Sequence, residues 1–225
     1  MPAGTIALMP AAPRLLLASR SPRRRLLLAE AGYAFDAIDP PFDDPDTVEH
    51  GASSAADHAV SLATAKAKSL VHAWQTRDAA PAVVLAADTV CVDASGRGIG
   101  KPTSAEEARG MLRGFVAATH EVVTGVSLLR VEDARVTAEQ AFAESAAVTW
   151  GEIDEDAIEA YLAGGAWAGK AGGYNLFDRR DAGWPIAVEG EETCVVGLPM
   201  ARVRRALAAL GVVPGVDAAV GGSRR

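Results

Sequence analysis

Lysine is nearly missing from this chain: of 22 basic residues only Lys66, Lys68, Lys101 and Lys170 are lysines, and arginine supplies the rest. That skew is a composition bias, and it makes the placement of the few lysines worth following. Cysteine is scarcer still. Cys91 and Cys194 are too few for a disulfide framework and lack the clustered spacing of a zinc site, so a reducing cytoplasm is the expected compartment. No apolar run approaches the roughly 20 residues of a membrane-spanning helix, and Met1–Pro13 carries no basic stretch of the kind that opens a signal peptide. Positive charge is also short overall. A net charge of −7 and a pI near 5.1 exclude broad binding to nucleic acid or an anionic membrane. There is no internal repeat, no Walker A sequence, no Gly-x-Ser-x-Gly elbow and no His-Glu-x-x-His helix. What remains is 225 residues, 49% hydrophobic, enough to bury the core of one domain or of two closely packed lobes.

The most informative stretch runs from Leu15 to Arg25, an apolar strand joined to a helix by a small, hydroxyl-rich, cationic turn. Ser21 is a good N-cap, Pro22 is pre-set for the first helical position, and Gly32 can close the helix after Leu26, Leu27 and Leu28. The helix then begins at its arginines. Free N–H groups at a helix start attract phosphate, and Arg23, Arg24 and Arg25 add donors. Residues 14–28 hold five arginines and no acid, a local patch suited to a small polyanion. The alternative is an ordinary strand, turn and surface helix.

Further along, Tyr33–Ile38 is a strand candidate, followed by an acidic loop, Asp39–Asp46, broken by three prolines. Its acids lie in solvent or bind a metal. Ala55–Trp74 has helical periodicity, with Lys66 beside the apolar stripe. Val83–Ala87 is an apolar run typical of a strand buried on both faces, and it ends at Asp88, where open α/β sheets place ligands. The alternative for Asp88 is a turn cap or an ion pair. A second strand, Val90–Asp93, leads to Gly100-Lys101-Pro102, which gives Lys101 a fixed exit direction. Ser104 and Glu107 form a capping box for a helix to about Arg113. His120–Leu129 and Arg135–Trp150 form a candidate hairpin, and Asp154 caps a helix over Asp156–Leu162. Trp167–Asn175 is a glycine-rich loop folded close to a ligand, in which Trp167 and Tyr174 either stack on a base or plug the core. Pro185–Val188 and Thr193–Val196 are short strands, Met200–Ala209 is a helix, and residues 1–13 and 211–225 are expected to be disordered extensions.

Four segments in order, Ala18-Ser19-Arg20-Ser21-Pro22-Arg23-Arg24, Ala87-Asp88-Thr89-Val90 with Gly100-Lys101-Pro102, Lys170-Ala171-Gly172-Gly173-Tyr174 and Val195-Val196-Gly197-Leu198-Pro199, carry a resemblance. Over residues 14–210 the chain resembles the Maf-like nucleoside triphosphate pyrophosphatases, once known as septum formation inhibitors. The resemblance implies an α/β fold with a mixed central sheet flanked by helices, inosine triphosphatase-like, with two lobes around a cleft. It implies hydrolysis of a nucleoside triphosphate to the monophosphate and pyrophosphate with a divalent metal, Mg or Mn, and a possible homodimer. By motif, Asp88 matches the proton acceptor, while Arg24, Lys66 and Lys101 match phosphate-contacting bases alongside Ser19 and Ser21. Asp44 falls where the family has an early-loop acid and, with Asp88, is the candidate metal ligand.

Base selection is where the chain departs from that pattern. The family's three selecting positions read Arg23, Thr89 and Phe177 here. The first two resemble the dTTP/UTP-preferring group, but Phe177 stands where an amide would be expected, and a phenyl ring can neither donate nor accept a base-edge hydrogen bond. The leading expectation is a pyrophosphatase for a pyrimidine or non-standard nucleotide. Its rivals are a non-catalytic nucleotide-binding regulator of cell division and a purine, ITP-type pyrophosphatase on whose base Phe177 stacks.

Overall fold

The structure, a computed structural model, describes residues 12–42, 54–74 and 80–215. Its elements run β1 (Arg14–Ala18), α1 (Pro22–Glu30), β2 (Asp36–Ile38), α2 (Ala55–Trp74), β3 (Ala82–Val92), β4 (Gly98–Ile99), α3 (Ala105–Phe115), β5 (Thr119–Glu132), β6 (Arg135–Trp150), α4 (Glu155–Ala163), α5 (Leu176–Asp181), β7 (Ile186–Glu189), α6 (Glu192–Val196) and α7 (Met200–Ala209). The sheet order is β2-β1-β3-β5-β6-β7, with β4 on β3. Pairing of β1 with β2 and β3 is parallel, and all other pairs are antiparallel. The mixed central sheet expected from the sequence is therefore present.

Strand alternation sorts the core. Leu15, Leu17, Val83, Leu85, Ala87, Val126 and Leu128 face Leu27 and Leu28 of α1 and Val203 and Leu207 of α7. Leu16, Ala18, Val84, Ala86 and Leu129 turn to the opposite face, against Ala67, Leu70 and Val71 of α2. A second lobe forms at the far end of β3, β5 and β6, where Cys91, Val122, Val148 and Trp150 meet Leu112 of α3 and Ile158 of α4. Ion pairs of Arg109 with Glu159 and of Arg113 with Glu155 tie those two helices together.

Several elements differ from the sequence reading. Asp88 does not end a strand: β3 continues through it to Val92, because β5 pairs with it along its whole length, from Ala82↔Val131 to Val92↔Glu121. The parallel neighbour β1, however, stops at Ala18 opposite Ala86, so Asp88 lies just past the carboxyl end of the parallel part. Thr193–Val196 is not a strand but lies in α6, closed by Gly197 with φ 119°. Helix α3 runs through Gly114 to Phe115. Strand β2 is only three residues long, whereas β5 extends to Glu132 and turns into β6 through Asp133 and Ala134, both in the left-handed region. Beyond Leu210 the chain still packs, with Val212 buried and the Gly215 N–H donating to the Gly32 carbonyl.

One close approach sets the height of α2 above the sheet. A Cβ on Gly125 would lie 2.3 Å from the backbone of Ala59 and Val60. Only glycine fits between β5 and α2. Gly125→Ala should therefore cost roughly 1–3 kcal/mol, lowering the thermal midpoint by several degrees. Gly110→Ala, on the open side of α3 with nothing within 4 Å of an added Cβ, should be neutral or stabilising. Equal midpoints for the two variants would disprove the steric account.

Candidate active site

A cavity of about 380 Å³ opens between the lobes at the end of β1. The turn that follows β1 forms one wall. Ser21 Oγ accepts from the Arg24 N–H at 3.4 Å, and Ser19 Oγ accepts from the Ser21 N–H at 3.1 Å. The two hydroxyls thus hold the turn in shape, as the N-cap reading of Ser21 required. Arg25 is exposed to solvent and also donates to the Ser19 carbonyl at 3.1 Å.

Strand β3 supplies the floor, and consecutive residues serve opposite faces because side chains alternate. Asp88 turns towards α2, where Lys66 Nζ donates to its Oδ1 at 2.6 Å. Both side chains are buried, at 9% and 8% exposure. This pair exists because Gly125, the register partner of Asp88 on β5, lets α2 lie low enough for Lys66 to reach inward. Phe42 covers the ammonium from outside, 5.9 Å from ring centroid to Nζ.

Thr89 turns the other way, towards Arg24. Arg24 Nε donates to the Gly197 carbonyl at 2.9 Å and its Nη2 to Thr89 Oγ1 at 3.0 Å. Thr124 donates to the Cys194 carbonyl at 2.8 Å, and the two threonine hydroxyls are 2.9 Å apart. A carbonyl can only accept, so the direction of the whole relay follows: Arg24 to Thr89 to Thr124 to Cys194. Thr89 is therefore occupied in holding Arg24.

Lys101 also lines the cavity, anchored through its neighbour: the Gly100 carbonyl accepts from Gly172 N–H at 3.0 Å, tying it to the 3₁₀ turn at Ala171–Gly173. Arg23 is half-buried on the cavity wall with no side-chain hydrogen bond among the described residues. Burial holds its guanidinium below the usual value, with Asp178 opposing that shift. Lys170 is likewise lowered, by burial and then by Arg23. Cations thus converge on this side of the cavity.

The structure brings together Ser19, Ser21, Arg23, Arg24, Lys66, Asp88, Thr89 and Lys101 around one cavity. Phe177 is not among its lining residues: it is 39% exposed on α5. Asp44 lies outside the described residues. The sequence reading missed Asn175, Thr124 and Gly125, and it left Tyr174 open between stacking and core. Tyr174 is buried at 5% exposure among Phe115, His120 and Trp150 while still edging the cavity. Cys91, beside it, is no nucleophile, because burial pushes its thiol up to about 12.

A family model described as "Maf-like protein" matches residues 14–210. A dTTP/UTP pyrophosphatase of Salinibacter ruber is 39% identical over 196 residues, 87% of this chain and 90% of that protein. One of Moorella thermoacetica is 39% identical over 199 residues, 88% and 96% of the two chains, and one of Hyphomonas neptunium is 36% identical over 203 residues, 90% and 98%. Among solved structures, a nucleoside-triphosphatase / dITP/XTP pyrophosphatase of Mycobacterium abscessus aligns over 88% of this chain and 97% of that one at 14% identity, with a TM-score of 0.37, too low to bear on fold or activity.

Behind the cavity, His120 Nε2 lies 2.8 Å from the Tyr174 hydroxyl, and its ring stacks on Phe115 with centroids 3.9 Å apart. Burial pushes its imidazole down to about 4, from the ordinary 6.5. Between those values the unfolded chain binds more protons than the native one, so stability falls as pH drops from 6.5 towards 4. His120→Gln should flatten that acid limb by roughly 3 kcal/mol, measured as denaturant midpoints between pH 7 and pH 4. An unchanged slope would remove His120 from the acid response.

Proposed function

Because this chain belongs to the Maf-like protein family, we propose that its cavity hydrolyses a nucleoside triphosphate, dTTP or UTP by the names of its relatives, to the monophosphate and pyrophosphate. The observation that carries the reading is the buried Lys66–Asp88 pair opening on the same cavity as Arg24 and Lys101. Among the described residues that line it, one carboxylate, Asp88, stands with Arg20, Arg23, Arg24, Lys66 and Lys101, which suits a polyanion attacked by water.

In this reading the triphosphate lies across the Ser19–Arg24 turn, where backbone N–H groups and Arg24 hold its oxygens. Arg24 enters already oriented, since Gly197 and Thr89 fix its guanidinium on two sides. Asp88 accepts a proton from water as the water oxygen bonds to the α-phosphorus. The bond from that phosphorus to the bridging oxygen breaks, and the electron pair leaves with pyrophosphate. Lys66 holds the Asp88 carboxylate in register and, with Lys101, meets the charge that builds on the phosphoryl oxygens.

Among the described residues the cavity offers a divalent metal one carboxylate, Asp88, so the metal would arrive with the substrate's phosphates. Mg²⁺ commonly binds through one or two carboxylates plus substrate phosphates and keeps several waters. Asp88 Oδ2 accepts no hydrogen bond among the described residues and would be its protein ligand. Bound there with the triphosphate, magnesium or manganese would neutralise charge on the leaving group.

Pyrophosphate release measured across dTTP, UTP, CTP, ITP and 7-methyl-GTP tests the activity, and cleavage of none of them would refute it. Asp88→Asn leaves the Lys66 ammonium buried without its carboxylate, so its thermal midpoint should fall, and in protein that circular dichroism shows to be folded kcat should drop about 10²–10⁴-fold. Chelation by EDTA should stop turnover and added magnesium restore it. Full turnover in Asp88→Asn would remove the proton-acceptor role.

A further inference from the structure

The family-pattern amide is absent at position 177, yet an amide does line the cavity, two residues earlier. Asn175 caps α5: its Oδ1 accepts from the Phe177 N–H at 3.0 Å and the Asp178 N–H at 3.3 Å. Those two backbone donors settle which end of the amide is oxygen. The other end, Nδ2, carries two N–H donors. Among the described residues it makes no hydrogen bond, while Asn175 is half-buried on the same cavity as Asp88 and Tyr174.

Arg23 adds to this wall. It too offers only donors, is half-buried, and has no side-chain hydrogen bond among the described residues. A wall of unsatisfied donors is matched by carbonyl oxygens and opposed by amino groups. Uracil and thymine carry a carbonyl at the 4-position, where cytosine carries an amino group.

We infer that Asn175 Nδ2 reads the base, donating to its carbonyl oxygen, so that the cavity selects 4-oxo pyrimidines over cytosine. This rests on the nucleotide-hydrolysis reading for its substrate class, but the contact itself is a binding contact and is testable without turnover. It also accounts for the exposure of Phe177: the amide that reads the base is held by the helix cap, so the side chain two residues on is released to the surface.

Asn175→Asp separates the two jobs of this residue. Aspartate caps a helix as well as asparagine does, but places an acceptor where Nδ2 was a donor. Binding of the non-hydrolysable α,β-imido analogues of UTP and CTP would be measured by calorimetry on the full chain, with pyrophosphate release from UTP and CTP alongside. Wild type should prefer the UTP analogue. Asn175→Asp, with its thermal midpoint kept, should reduce that preference by about tenfold or more, and Asn175→Ser, which also caps, should weaken it without reversing it. An unchanged UTP-to-CTP ratio in both variants, or no binding of either analogue to wild type, would overturn the assignment. If the analogues show the swap but neither triphosphate is cleaved, the assignment holds and the proposed hydrolysis falls.

Discussion

The site depends on how closely α2 can lie against β5. Lys66 sits mid-helix with one face buried, and Asp88 sits mid-strand in an apolar ladder. Neither position tolerates a lone charge, since an isolated buried ion is costly. They are tolerable only together, and they meet only because the residue opposite Asp88 has no side chain. A buried ion pair is seldom a net source of stability, because desolvation offsets the attraction. Its retention inside an otherwise apolar layer is therefore better explained by what it faces than by what it holds together.

On the other side of β3 the logic is different. Among the described residues, Arg24 is steered by a carbonyl and a hydroxyl. Arg109 and Arg113, by contrast, are spent on Glu159 and Glu155 and serve to join helices. The chain thus uses arginine both to brace helices and at the cavity, where Arg20 pairs with Asp39 and Arg24 is oriented by the Gly197 carbonyl and Thr89.

Much of this was legible in the sequence. The Ser21-Pro22 helix start, the long α2 and the β5–β6 pairing rest on local signals that the tertiary structure does not override, and Asp88, Lys66 and Arg24, singled out in the sequence, meet on one cavity. The rest depended on neighbours distant in sequence. Thr193–Val196 is β-branched and apolar, yet it coils because Gly197 takes a left-handed conformation and ends the turn. Asp88 looked like the end of a strand because nothing local tells that β5 continues to pair beyond it. Gly125 looked like an ordinary strand residue until α2 lay over it. Phe177 held the right place by sequence spacing, but the helix cap at Asn175 set which side chain faces the cavity.

The Arg24 contacts also give the chain a timetable. The acceptors that orient this early arginine, the Gly197 carbonyl directly and the Cys194 carbonyl through two threonines, belong to one short helix and its C-cap about 170 positions later. That helix also contributes Val195 and Val196 to the cavity wall. During synthesis, then, the sheet can begin to pair and the first helix can be capped before Arg24 has its Gly197 acceptor. The cavity around Asp88 is therefore unfinished until α6 has been made, and a chain stopped before that helix carries Asp88 and Lys66 with Arg24 lacking the Gly197 and Cys194 carbonyls.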